Sequence, residues 1–273
     1  MTDPLYRQIA QDLRGQIQTG QLPPGAQLRT ELELREHYKA SRNTIRDAIK
    51  WLVSSGLVET RPGQGTFVVE KIDPFVTTLS EDPETGLGGG EGEAAFAEVR
   101  ERGRNPTRIG PRVELRQAVG NVATRLRIEE GTQVVSRHWE RFIDGIPWSL
   151  QTAFYPMDLV TRGAHQLLMA EDVPDGSVAY LKQTLNLVQV GYRDRILVRA
   201  PNEEESRFFR VADDGRIPMI SIMRTSYQAT DEGPVPFRVT YTNLPADRNQ
   251  LVVNFGEVPP ARAAAASLDP PRS

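Results

Sequence analysis

A chain of 273 residues without a single cysteine has no disulfides, thiolate metal sites or cysteine nucleophile to draw on, and it is long enough for two ordinary domains, each with its own core. Charged residues make up 25% of it, yet the net charge is only -3, so any charge that binds nucleic acid must be concentrated locally. No apolar run reaches roughly 18 residues, and the start, Met1-Thr2-Asp3-Pro4, has acid and proline where a secretory signal carries base and apolar residues; a soluble, cytoplasmic protein with no membrane partner is expected.

Asp3-Pro4 places a capping residue before a proline at a first helical position, and Tyr6, Ile9, Ala10, Leu13 and Ile17 follow at helical spacing. Gly20 and Leu22-Pro23-Pro24-Gly25 stop that helix. Thr30-Glu31-Leu32-Glu33 has the form of a capping box and predicts a second helix from about Glu31 to Tyr38. Ser41 then caps a third, with Ile45, Ala48, Ile49, Leu52 and Val53 on its buried face. Arg42, Arg46 and Lys50 recur every fourth residue on the opposite face, with Asn43 beside them.

A cationic row on a helix is ordinarily just a solvated face. This one begins at a helix N-terminus, where backbone N–H groups and the dipole attract phosphate, and it follows a second helix across a tight turn, as in a helix-turn-helix. There Arg42 can fork onto guanine and Asn43 onto adenine, each bidentate pair worth about 1–3 kcal/mol of discrimination, while Arg46 and Lys50 hold phosphate. Ser41 and Thr44 on the first turn, and Arg29 and Thr30 at the entry to the second helix, are further candidate DNA contacts. Leu57 to Thr60, Gly63-Gln64-Gly65 and Thr66 to Val69 read as strand, tip and strand; the glycines allow close approach to a groove, or simply make the turn.

Residues 1–70 thus form one domain. The span 71–106, rich in glycine and acid, reads as a linker; its Gly-Leu-Gly-Gly-Gly-Glu-Gly run lacks the Lys-Ser/Thr of a phosphate loop. From 107 to 256 strands dominate. Thr132 to Pro156 is a hairpin about Asp144-Gly145, and similar devices recur at Gly215 and Gly233, with helices expected over Arg112 to Leu126 and Glu203 to Phe209. That pattern predicts an α+β domain on an antiparallel sheet, followed by a disordered tail over 257–273. His37, His138 and His165 are isolated, and no nucleophile is paired with a base, so no enzyme, metal or cofactor is expected.

Residues 4 to 69 resemble the winged helix-turn-helix of GntR-type bacterial transcription regulators, through Leu22-Pro23-Pro24-Gly25, Leu28, Glu31, Ser41-Arg42-Asn43-Thr44-Ile45-Arg46-Asp47-Ala48-Ile49 and Gly63-Gln64-Gly65-Thr66-Phe67-Val68. The resemblance implies that Arg42 reads bases, that Arg46 engages backbone or bases, and that the wing glycines reach the minor groove. Two positions depart from the pattern. Leu32 stands where a base-reading arginine is frequent, and Lys39 stands where a turn glycine is usual.

Residues 107 to 254 resemble the effector-sensing UTRA domain of the HutC subfamily, which implies a chorismate-lyase-like fold, a small-molecule effector and a homodimer. Glu140 to Pro156, Pro201 to Val211, Met223 to Tyr227 and Leu244 to Gln250 carry that likeness. Relatives that bind sugar phosphates have Arg-x-Arg before the Asp-Gly turn and often a glutamate on the next strand; here these are Trp139, Arg141 and Gln151. A flat, weakly anionic ligand stacked on Trp139 and bonded to Arg141 is the expectation, with Gln151, Tyr155, Arg224, Arg238 and Tyr241 as further candidates. Asp247-Arg248 reads as a local structural pair. The function expected is a ligand-responsive repressor on a palindromic, double-stranded operator; an architectural or plasmid-maintenance DNA binder whose second domain only dimerises is the alternative.

Overall fold

The computed structural model describes residues 3–69, 74–80, 89, 91–173, 175–211, 215 and 217–254, and the chain divides into two compact units, Met1–Asp73 and Pro74–Ser273. The first is built from α1 (Leu5–Gln18), α2 (Glu31–Tyr38), α3 (Arg42–Ser54) and an antiparallel hairpin of β1 (Val58–Arg61) and β2 (Gly65–Val68). Asp3 does not cap α1: Pro4 occupies the N-cap without a side-chain bond, and the Asp3 carbonyl accepts from Gln8 Nε2 at 2.6 Å. The Thr30–Glu33 capping box is complete, and Ser41 Oγ accepts from the Thr44 N–H at 3.2 Å. Ile9, Ala10 and Leu13 of α1, Leu34 of α2 and Ile45, Ala48 and Leu52 of α3 meet in one core with Leu28, Val58 and Val68. Burying each large aliphatic side chain contributes about 1.5–3 kcal/mol, so this stripe sets the rotation of α3 and leaves the cationic row outside.

The second unit is organised on a six-stranded antiparallel sheet of order β4-β5-β6-β9-β8-β7. Its strands are β4 (Pro106–Gln117), β5 (Gln133–Ile143), β6 (Ile146–Pro156), β7 (Gln189–Arg199), β8 (Met219–Gln228) and β9 (Val235–Pro245). A parallel pair, β3 (Phe75–Thr78) with β10 (Asn249–Val252), stands apart from it. One face of the large sheet packs Val135, Ala153, Tyr155 and Phe237 against Leu159 and Val160 of α6 (Met157–Thr161) and Leu181 of α7 (Gly176–Leu185). The other packs Val134, Met223 and Val239 against Ala123 and Leu126 of α5 (Asn121–Leu126), and Leu150 against Phe209 of α8 (Glu203–Phe209). Successive strand residues face opposite sides, and helices cover both, so the sheet is an α+β core with two distinct surfaces.

Three expectations need correction. The span read as linker contains β3 and also α4 (Gly92–Glu101), whose Glu98 accepts from Thr78 Oγ1 at 2.5 Å and from Arg102 Nη2 at 2.7 Å. Ala95, Phe96 and Val99 of α4 are buried, so glycine and acid composition concealed a short amphipathic helix. Arg112 to Gln117 is strand, not helix, because β5 supplies its backbone partners; the helix begins only at Asn121. Among the described residues no hairpin is centred on Gly215: α8 precedes it, and β8, which follows, pairs with β7 and β9. The Asp144-Gly145 and Gly233 turns do join hairpins, β5 to β6 and β8 to β9. Asp247 and Arg248 pair at 2.9 Å. The span 257–273 and linker positions 71–73, 81–88 and 90 lie outside the described residues.

Candidate DNA-binding surface and effector pocket

On the N-terminal unit the side chains of Arg42, Arg46 and Lys50 are 68%, 54% and 75% exposed. Glu31, on the first turn of α2, faces Arg42 at 3.4 Å and Arg46 at 3.7 Å. Pairs this exposed are worth little in stability, so their effect is to hold two guanidiniums side by side at the surface. Sequence reading placed Glu31 in the capping motif and the family likeness but gave it no part in ordering the arginines; its i, i+11 and i, i+15 offsets from them cross a turn and carry no periodic signal. Asn43 is exposed beside Arg42. Ser41 and Thr30 are occupied as caps, so their side chains position the helices before they contact anything else. Arg29 is exposed next to Thr30.

The wing tip holds Gly63 at φ 72° and Gly65 at φ 125°, a region that β-carbon-bearing residues rarely enter. The Gln64 carbonyl accepts from Gln27 Nε2 at 2.8 Å, and a Cβ on Gly65 would lie 2.5 Å from that same nitrogen. Glycine at 65 therefore serves the clamp as well as the turn. Arg61 lies over the Phe67 ring at 4.5 Å and adds a cation to the wing that sequence reading passed over.

In the C-terminal unit, one surface of the sheet collects most of the predicted effector residues. Trp139 pairs with Gln151 and Gln151 with Thr242 in register, while Arg224 faces Thr240 and Ser226 faces Arg238. Arg141 Nη2 donates to Gln151 Oε1, and Gln151 Nε2 donates to Thr242 Oγ1 at 3.1 Å. Arg238 Nη2 donates to Ser226 Oγ at 3.1 Å, and the Tyr155 hydroxyl donates to Ser177 Oγ at 2.7 Å. Arg224 makes a bidentate pair with Asp194, at 2.7 and 2.6 Å, with its guanidinium 3.7 Å above the Tyr192 ring. All three arginines are buried.

Trp139 lies on this surface but is committed elsewhere. Its indole N–H donates to Asp172 at 3.0 Å, and the Arg137 guanidinium sits 5.4 Å from its ring centre. Arg137 is itself tied to the carbonyls of Gln166, Leu167, Met169 and Glu171. Tyr241 does not belong to this surface: it points to the opposite face, edge-on to Phe154 at 6.1 Å, because it alternates with Thr240 and Thr242 along β9.

The residue that sequence reading missed is Glu91, the N-cap of α4. Its carboxylate accepts from Arg238 Nη2 at 2.5 Å. Burial pushes the Glu91 carboxyl up, but the charges of Arg238, Arg224 and Arg141 outweigh that and hold it below the usual carboxylate range. Burial draws the Arg141 guanidinium down to about 10 with Glu91 opposing the shift, so it is charged at neutral pH. The carbonyls of Gly89 and Leu79 accept from Arg224. Among the described residues Arg141 Nε, Arg238 Nε and Ser149 Oγ are buried without partners. Converging cations with spare Nε donors suit an anion.

Comparison with known proteins bears on both units. Residues 5–68 match the model of bacterial regulatory proteins of the gntR family, and residues 101–249 match the UTRA domain. The mannosyl-D-glycerate transport/metabolism system repressor MngR of Escherichia coli (strain K12) is 46% identical over 68 residues, 25% of this chain and 28% of that protein. An uncharacterized HTH-type transcriptional regulator of Rhizobium meliloti (strain 1021) is 26% identical over 247 residues, 90% of this chain and 93% of that one. A crystal structure provisionally assigned to the GntR family of transcriptional regulators aligns with a TM-score of 0.62 at 24% identity, covering 94% of this chain and 99% of that one, a likeness of fold. These matches are with regulators of transcription, not enzymes.

Proposed function

The chain belongs to the GntR-family transcription regulators that carry a UTRA domain, and from that premise we propose that it is a cytoplasmic repressor that binds a palindromic operator as a homodimer and is modulated by a small-molecule effector in its C-terminal unit. The observation that carries the reading is the buried arginine cluster of Arg141, Arg224 and Arg238 in the same chain as an exposed, pre-ordered Arg42–Arg46 pair. Arg42 and Asn43 read bases, Arg46 and Lys50 hold phosphate, and Gly63, Gln64 and Gly65 approach the minor groove. Gln151 and Tyr155 complete the effector pocket around the arginines.

Dimerisation through the C-terminal units is supported by β7, an edge strand with Ile196, Leu197 and Val198 46%, 62% and 68% exposed; a free apolar edge of this kind pairs readily with a second copy. Two recognition helices then fall about 34 Å apart, one turn of DNA. An effector that favours one dimer geometry changes operator affinity by a coupling of typically about 1–3 kcal/mol. Selection of bound sequences from a random duplex pool by the full chain tests this: enrichment of a palindrome with half-sites one turn apart is expected, and its binding should respond to a metabolite found by thermal-shift screening. Enrichment of no sequence overturns the operator reading. Operator binding that no screened metabolite alters favours the purely architectural alternative.

A further inference from the structure

Glu91 occupies the position where an anionic effector would be expected to bind. Its carboxylate is only 12% exposed and lies 2.5 Å from Arg238, whose own side chain is 9% exposed. The charge count around it is unbalanced. Among the described residues Arg141, Arg224 and Arg238 bring three positive charges, and Glu91 and Asp194 answer with two negative ones, while the neighbouring Arg108 and Asp172 balance each other at 2.7 Å. A buried cluster left with one excess positive charge favours an anion of higher valence. Replacing the Glu91 carboxylate with a doubly charged oxyanion would bring the balance to zero and engage the idle Nε donors of Arg141 and Arg238.

Building on the effector-site reading above, we infer that Glu91 is a tethered competitor: its carboxylate stands in for the effector, and a dianionic ligand binds by displacing it. Two structural features make displacement consequential. Glu91 is the residue on which α4 starts, and α4 places Phe96 5.7 Å from the Arg141 guanidinium and 5.0 Å from that of Arg108. In sequence, Glu91 lies between β3 and β4, so a ligand that takes its arginines releases the start of α4 from the large sheet. An internal competitor reduces the apparent affinity of a ligand by the fraction of molecules in which the site is free, and a tethered group competes at a high effective concentration.

The test uses the full chain and inorganic phosphate at pH 8, where it is a dianion, followed by calorimetry and thermal midpoint. Glu91→Gln removes the competing charge with little change of shape and should bind phosphate about tenfold or more tightly than the natural chain. Adding Arg238→Gln to it should abolish that gain, and Glu101→Gln, at an exposed position of the same helix, should leave affinity unchanged. If Glu91→Gln is too unstable for calorimetry, phosphate should raise the thermal midpoint of Glu91→Ala by more than it raises that of the natural chain, and an equal rise overturns the inference. Equal phosphate affinity in the natural chain and Glu91→Gln overturns the competitor while the anion site stands. Binding in neither overturns both.

Discussion

The two units use arginine in opposite ways. In the N-terminal unit Arg42 and Arg46 are more than half exposed and share one surface carboxylate at 3.4 and 3.7 Å. In the C-terminal unit Arg137, Arg141, Arg224 and Arg238 are all buried and bonded to carbonyls, an amide or carboxylates. An exposed guanidinium costs little to keep and is ready for a partner arriving from solvent. A buried one must be satisfied at all times, so a ligand there has to exchange places with part of the chain. Recognition of DNA is therefore addition, and sensing is substitution.

The contrast is broken most severely at Arg137. It is fully buried and donates to four carbonyls between Gln166 and Glu171, at 2.6 to 3.2 Å. Arg137→Met fills the space and removes every guanidinium donor, leaving the Leu167, Met169 and Glu171 carbonyls without it while Gln166 keeps the Met169 N–H; the C-terminal unit should lose on the order of 3–5 kcal/mol in urea unfolding. A loss below about 1 kcal/mol would mean that water replaces the guanidinium readily, and that burial here does not impose the obligation claimed for it.

Glu91 sharpens the same point through pH. Its carboxyl is held below the ordinary value by the surrounding arginines despite burial. A depressed folded-state value means stability fully present above the unfolded carboxylate pKa, about 4.3, and lost as pH falls through the lower folded value. Thermal midpoints of the natural chain minus those of Glu91→Gln should therefore fall as acid is added below about pH 4.3. A flat difference curve would show that the arginines do not depend on this carboxylate.

How much of this was legible in the sequence differs between the units for the same physical reason. Helix α3 announces itself because Ile45, Ala48 and Leu52 recur within one turn or two, and Ser41 caps it from the adjacent position. Its cationic row is the complement of that stripe. Arg141, Arg224 and Arg238 could be singled out on their strands, but the partner that explains them could not: Glu91 is 147 positions from Arg238, in a glycine-rich stretch whose composition suggested a linker. Tyr241 failed for a local reason, since an aromatic beside two pocket threonines faces the other way on a strand. β7 was missed because, with glycine, charges and exposed aliphatics mixed along it, no clean alternation marks an edge strand.

At the exposed end of the comparison, Arg42→Ala should leave unfolding stability within about 0.5 kcal/mol yet cost about 1–3 kcal/mol of operator affinity, with preference relaxed at one base position. Lys50→Ala should instead weaken all sequences alike and reduce the salt slope by about 1. Competition assays against single-base operator variants at two salt concentrations separate the two. Equal, sequence-independent losses would remove Arg42 from the bases.

The smallest effect expected is at Lys39, which ends α2 in the left-handed region at φ 48° and ψ 42°, with its N–H donating to the Arg35 carbonyl. Glycine takes that conformation without the steric cost that a β-carbon brings, but it also gains entropy in the unfolded chain. Lys39→Gly should therefore stabilise the N-terminal unit by only about 0.5–1 kcal/mol. The same variant removes a cation next to Ser41. If lysine is kept there to hold phosphate, operator affinity and the salt slope both drop as the fold becomes more stable, and the strained turn belongs to the DNA surface. If affinity is unchanged while stability rises, Lys39 carries strain without serving recognition, and the phosphate contacts of the turn must be sought on α3 alone.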